Sequence, residues 1–125
     1  MNIKKFVELV PLTAVAGLKT DIWWRDDDIF ETTKELDRLL HFSKTNDIPA
    51  HLSVIPKHLN SDTIDLIKRY TNIKVLQHGY SHLNYAKKGA PLNEYGLDRD
   101  IDIMLDEIRN GFHKLTEVFN KQFLH

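Results

Sequence analysis

The stretch Ile22-Trp23-Trp24-Arg25-Asp26-Asp27-Asp28 decides how this chain is read. Residues of strong β preference run directly into three adjacent carboxylates. An apolar strand that ends in charge marks a buried parallel strand whose C-terminal end opens on a polar site. The pattern returns further along, where Ile73-Lys74-Val75-Leu76 leads into Gln77-His78-Gly79-Tyr80-Ser81-His82. Carboxylates from one strand end and two imidazoles from another form a three-ligand cradle for a divalent metal.

Working outward, strand and helix signals alternate. Residues 21–25 read as the first strand. Residues 32–46 read as a helix, with Thr32 and Glu35 in a capping box and Leu36, Leu39, Leu40 and Ser43 on one face. Pro49 opens a strand over 50–55 that Pro56 closes. Asn60, Ser61 and Asp62 offer caps for a helix reaching about residue 70, with Ile64 and Ile67 inward. Residues 73–77 form the third strand, and a polar loop with Gly and Pro covers 83–97. The last helix, 98–120, carries a stripe of Ile101, Met104, Leu105, Ile108, Phe112, Leu115 and Phe119, read throughout as core. Gly111 inside it implies close packing. The expected class is α/β, one domain over 1–125, with a parallel sheet in βαβαβα order.

Composition narrows the function. The chain has 125 residues, 42% hydrophobic and 28% charged, with a net charge of −1 from 17 basic and 18 acidic residues. That suits a globular domain and gives no basic surplus for nucleic acid or an anionic membrane. No cysteine is present, so a metal must be held by His, Asp or Glu. No stretch has the length of a membrane span. At the N-terminus, Lys4-Lys5 before an apolar run and Ala14-Val15-Ala16 have the outline of a secretory leader, but Glu8 and Pro11 interrupt it. The alternative is a short amphipathic helix packing Phe6, Val7 and Val10 on the domain, and the chain is read as cytoplasmic, with secretion left open.

The chemistry of the two clusters favours a cation. Three neighbouring carboxylates repel one another, and Arg25 offsets only part of that charge. A polar turn in which Asp28 caps the next helix accounts for one aspartate but not for three. The His-x-x-x-His spacing is that of metalloprotease helices, but those require Glu where this chain has Gly79. His51 reads as a sheet-face histidine and His58 as solvated. Lys87, Lys88, Asn93 and Glu94 lie in the loop expected to rim the site and read as a solvated loop, the alternative being contact with substrate.

On Trp-Trp-Arg-Asp-Asp-Asp and Gln77-His78-Gly79-x-x-His82-x-Asn84, the chain resembles the polysaccharide deacetylase family, also called the NodB-homology or carbohydrate esterase 4 group. More specifically, these motifs resemble those of a divergent bacterial branch of that family. The resemblance spans nearly the whole chain. It implies an incomplete (β/α) barrel, of which these residues make the first half. It also implies zinc or a similar divalent ion held by one Asp with His78 and His82, and a neighbouring Asp acting as base. Either Asp26 is the base and Asp27 the ligand, or Asp27 is the base and Asp28 the ligand. The apolar Ile29 after Asp28 favours the second, and Asp27 belongs to both. The family has Ser or Thr where this chain has Gly79, which removes a hydroxyl near the ligands. Arg25 is expected to orient the base or to serve as a counter-ion. Gln77 and Asn84 are expected as hydrogen-bonding partners around the ligands or as loop caps.

The implied reaction is removal of an N-acetyl group from an amino-sugar, or hydrolysis of another small amide. The family's later motifs, including a His that acts as acid, have no counterpart here; neither His113 nor His125 has a motif around it. Three expectations follow: an enzyme whose second half lies on another chain, a silent metal- or glycan-binding remnant, or a protein whose open sheet edge drives homo-oligomer formation.

Overall fold

The structure, a computed structural model, describes residues 16–17 and 23–124. The readings placed on residues 4–15, on 21–22 and on His125 lie outside those residues. Three strands, β1 (Trp24–Ile29), β2 (Ala50–Val54) and β3 (Ile73–Gln77), alternate with three helices, α1 (Lys34–Asn46), α2 (Ser61–Lys68) and α3 (Ile101–Phe119). A 3₁₀ turn, Asn120–Gln122, follows. The sheet has the order β1-β2-β3 and both pairings are parallel. The α/β class and the alternating order are therefore as the sequence indicates. Among the described residues no helix is long and apolar enough to cross a membrane.

β2 is the central strand, and Leu52, Ser53 and Val54 are all buried. Its neighbours contribute Ile29, Ile73 and Val75, while Leu36 and Leu40 of α1 and Ile67 of α2 close the core. Asn60 caps α2 by accepting from the Thr63 N–H at 2.9 Å. α1 starts one residue later than the capping box requires. Thr33, not Thr32, is the N-cap and accepts from the Leu36 N–H at 3.0 Å. Thr32 instead pairs with Thr63 across to α2, Oγ1 to Oγ1 at 3.0 Å.

Two expectations about element extent are corrected. The first strand runs through the aspartates instead of stopping before them. The pairing of Ile29 with Val54, and the bond from the Ile55 N–H to the Ile29 carbonyl at 2.9 Å, carry the sheet past the charged residues. The second concerns the apolar stripe of α3. Gly111, Leu115 and Phe119 are buried, but Ile101, Leu105 and Ile108 are 66%, 40% and 41% exposed. Phe112 is 38% exposed as well; it and Ile108 lie beside Gln77 along an open groove at the edge of β3, while for the turns before them the reason is length. A helix of 19 residues spans about 28 Å and a strand of five only about 17 Å. The N-terminal two turns therefore overhang the sheet.

Where α3 does cross the sheet it comes close. A β-carbon on Gly111 would lie 2.5 Å from Gln77 Nε2 and 3.0 Å from Pro56 Cγ. Past α3 the chain returns to the outer edge of β3, where Phe123 bridges Val75 in parallel and the Leu124 N–H bonds to the Val75 carbonyl at 2.9 Å.

Candidate metal centre

The register of β1 against β2 holds from Trp24 to Asp26 and then slips, so that three steps along β1 match two along β2 before Ile29 meets Val54. This is a bulge, and bulges re-aim side chains. Within it Asp28 takes φ 62°, the left-handed region that Asp enters more readily than most residues. The bulge directs Asp28 across the strand ends toward the segment after β3.

That segment begins with His78, whose N–H bonds to the Val54 carbonyl at 2.8 Å as an extension of the sheet. Gly79 at φ 59° and His82 at φ 55° then turn the chain back on itself. His78 Nε2 lies 3.0 Å and His82 Nε2 3.4 Å from the same oxygen, Asp28 Oδ1. The two rings are 4.8 Å apart between centroids. One ligand atom from each of Asp28, His78 and His82 lies within 4.8 Å of the others.

This group can hold a metal ion. Its donors are two imidazole nitrogens and a carboxylate oxygen, a set that divalent first-row ions accept. Tetrahedral ligands at about 2.0–2.1 Å from an ion are about 3.3 Å from one another, which the 3.0 and 3.4 Å separations match. The side chains are 56%, 30% and 48% exposed for Asp28, His78 and His82, so one side of the group remains open to an incoming ligand.

The other aspartates have different surroundings. Arg25 grips Asp27 with two bonds, Nη2 to Oδ2 and Nε to Oδ1, both 2.9 Å. A hydrogen bond from Ser53, with Arg25 adding to it, holds the Asp27 carboxyl below its usual range. Asp27 also lies close to His78. The alternation of the strand puts Asp26 on the opposite side from Arg25 and Asp27. Burial pushes its carboxyl upward, and the negative charges of Asp27 and Asp28 add to that. Of the aspartates, then, Asp28 is the one in the metal-competent group, and Asp27 stands beside it.

Gln77 and Asn84 face elsewhere. Gln77 Nε2 donates to the Ile108 carbonyl on α3 at 3.2 Å. Asn84 Oδ1 accepts from the Ala86 and Asn93 N–H groups at 3.0 and 3.1 Å and ties the loop together. His51 stacks edge-on against Trp23, with 4.5 Å between centroids.

Two contributors escape a reading of the sequence. Ser53 carries its signal in plain view, as a buried polar residue between Leu52 and Val54 in the central strand. Glu94 has no local signal. Its carboxylate accepts from the Tyr80 N–H at 3.1 Å, the Ser81 N–H at 2.6 Å and the Ser81 hydroxyl at 3.0 Å, across thirteen to fourteen residues.

No family model matches the chain, and comparison with curated proteins and with solved structures finds no match.

Proposed function

We propose that this chain is a zinc-dependent hydrolase domain of the polysaccharide-deacetylase type, acting on the N-acetyl group of an amino-sugar. One observation carries the reading. Asp28, His78 and His82 converge within 4.8 Å, and Asp27, ionised and clamped by Arg25, stands next in the chain. The resemblance of the Asp and His motifs to that family supports the substrate class. Two nitrogens, one oxygen and no thiolate suit zinc.

Asp28, His78 and His82 would hold the zinc ion, which would supply Lewis-acid polarisation of the amide carbonyl and a more acidic water. Asp27 accepts the proton that the attacking water gives up. Its lowered pKa keeps it ionised at neutral pH, and the two bonds from Arg25 fix the carboxylate plane. The amide C–N bond then breaks, releasing acetate and the sugar amine; the amine takes its proton from solvent, and Asp27 gives its own back to solvent.

A second reading, a silent metal- or glycan-binding domain, is favoured by where the remaining described histidines lie. His41 is within 3.5 Å of Thr45 on α1, His51 packs on Trp23, His58 on Phe30 and His113 on Phe112. None belongs to the group with Asp28, so no other described histidine stands there as an acid for the leaving amine.

The test is metal content after purification, together with hydrolysis of an acetylated amino-sugar oligomer. Bound zinc with turnover that Asp27→Ala abolishes supports the enzyme. Bound zinc without turnover supports the silent domain. A wild-type protein that binds no metal, with His78→Ala indistinguishable from it, removes both.

A further inference from the structure

We infer that Glu94 is the positioning residue of the metal centre: its carboxylate sets the turn that brings His82 back to His78, and Gly79 lacks a side chain in order to admit it. The inference rests on the metal-site reading above.

The argument begins with what holds each histidine. His78 is fixed by the sheet through its N–H on Val54. His82 has no such support, since it lies four residues on in neither helix nor strand, and its own φ of 55° is one a side-chain-bearing residue adopts reluctantly. Something must hold the intervening turn. On one side the Tyr80 carbonyl accepts from the Lys57 N–H at 2.9 Å. On the other, the Glu94 carboxylate takes the Tyr80 and Ser81 N–H groups and the Ser81 hydroxyl, at 2.6 to 3.1 Å. Ser81 is 2% exposed, so without Glu94 its polar groups would be buried and unsatisfied.

Gly79 meets this requirement from the other direction. A β-carbon there would collide with Glu94 Oε2 and lie 3.0 Å from its Cδ. Glycine is therefore demanded twice at this position, by the positive φ and by the carboxylate beside it.

Glu94 is in turn braced from outside the loop. Arg99 Nη1 donates to the Glu94 carbonyl at 2.9 Å, and the same guanidinium makes two bonds to Glu107 on α3, at 2.9 and 3.1 Å. Arg99 and Glu107 side chains are only 11% and 16% exposed, and the guanidinium stacks on the Tyr85 ring at 3.8 Å. The order of support is Glu107, Arg99, Glu94, the Tyr80–Ser81 backbone, and then His82. Groups that orient a metal ligand in this way typically contribute ten- to a hundredfold in metal affinity.

The test uses the full chain and two probes, Zn²⁺ in competition with a chromophoric chelator and Co²⁺ by its d–d absorption. Glu94→Ala should weaken Zn²⁺ binding about tenfold or more and alter the Co²⁺ spectrum at saturation, showing that coordination itself has changed. Glu94→Gln, which keeps the Oε1 acceptor of the short bonds, should stay within about threefold of wild type. Gly79→Ala should reproduce the loss, and in a Glu94→Ala background it should add only what its positive φ costs, so that the double variant loses less than the sum of the two single losses. If Glu94→Ala does not fold, Gly79→Ala and the Gln variant carry the comparison. Wild type that binds Zn²⁺ while Glu94→Ala and Gly79→Ala bind it equally well overturns the role of Glu94 and leaves the metal centre standing. A loss of thermal stability in these variants with unchanged Zn²⁺ affinity overturns it in the same way. Wild type that binds neither ion overturns both.

Discussion

Replacing His82 with glycine should separate the stability of the fold from the binding of the ion. His82 has φ 55° and its side chain is 48% exposed. The left-handed region costs a residue with a β-carbon about 1–2 kcal/mol, and His lies toward the low end. Glycine relieves that strain but loses about 0.4–1 kcal/mol through its freer unfolded state. The ring's one close polar contact, Asp28 Oδ1 at 3.4 Å, is exposed and contributes close to nothing once screened. The metal-free variant should therefore unfold between wild-type stability and about 1 kcal/mol above it, a rise of up to about 4 °C in Tm for a domain of this size. With Zn²⁺ at about a hundred times its Kd, wild type gains about 2.7 kcal/mol, roughly 10 °C on the same scale. A variant whose Kd has risen a hundredfold gains about 0.4 kcal/mol at that concentration, which barely moves the transition. Thermal unfolding followed by circular dichroism, with and without Zn²⁺, measures all four values. The reasoning fails if metal-free His82→Gly melts well below wild type, because the left-handed turn would then be held by ring contacts and not kept for a ligand. It fails also if the zinc-induced shift survives the substitution.

Asp27→Ala should reduce amide hydrolysis at least a hundredfold while leaving Zn²⁺ affinity within about threefold; a parallel fall in affinity would make Asp27 a ligand and not the base. Gly111→Ala gains about 1 kcal/mol of helix propensity but drives a methyl into Gln77 and Pro56, so a net loss of about 1 kcal/mol in urea unfolding is expected, and a gain would mean that contact relaxes freely. Burial, then the charges of Glu94 and Glu107, push the Tyr95 phenol far above its usual value of 10.0. Its native pKa is thus raised above its unfolded one, so stability is intact below about pH 10 and falls as pH rises past it. Titration of phenolate absorbance should show one of the four tyrosines lagging the rest, and Tyr95→Phe should remove the lagging component.

The strands and helices were legible because each carried a local signal. Ile73–Gln77 matches the sequence reading residue for residue, since its apolar positions, the turn before it and the histidine after it all agree. Leu36, Leu40 and Ser43 face inward as their spacing requires. β1 was misjudged because three carboxylates do not look like strand, yet pairing with β2 and a bulge carried the chain through them. The metal-competent group was legible as two clusters of ligands. The resemblance leaned toward Asp28 as the ligand without a physical reason, and the structure supplies one in a one-residue slip of register that re-aims Asp28. Glu94 had every appearance of a solvated loop residue, and its partners are set by how a long loop folds back.

The overhang of α3 and the support of the metal centre are one fact seen from two ends. α3 runs opposite to the strands, so its first two turns project past their C-terminal ends, where Asp28 and His78 sit. Periodicity identifies the apolar face of such a helix but not how much sheet lies beneath it, which is why Ile101 and Leu105 looked like core and are exposed. A helix trimmed to the length of the sheet would begin near Gly111 and would carry no Glu107. With the overhang, Glu107 reaches the loop over the strand ends, holds Arg99 by two bonds, and through it fixes the Glu94 backbone. Apolar surface left uncovered at Ile101, Leu105 and Ile108 accompanies an anchor that rises above the sheet. The anchor lets a histidine on an irregular turn hold its place without a helix or strand of its own.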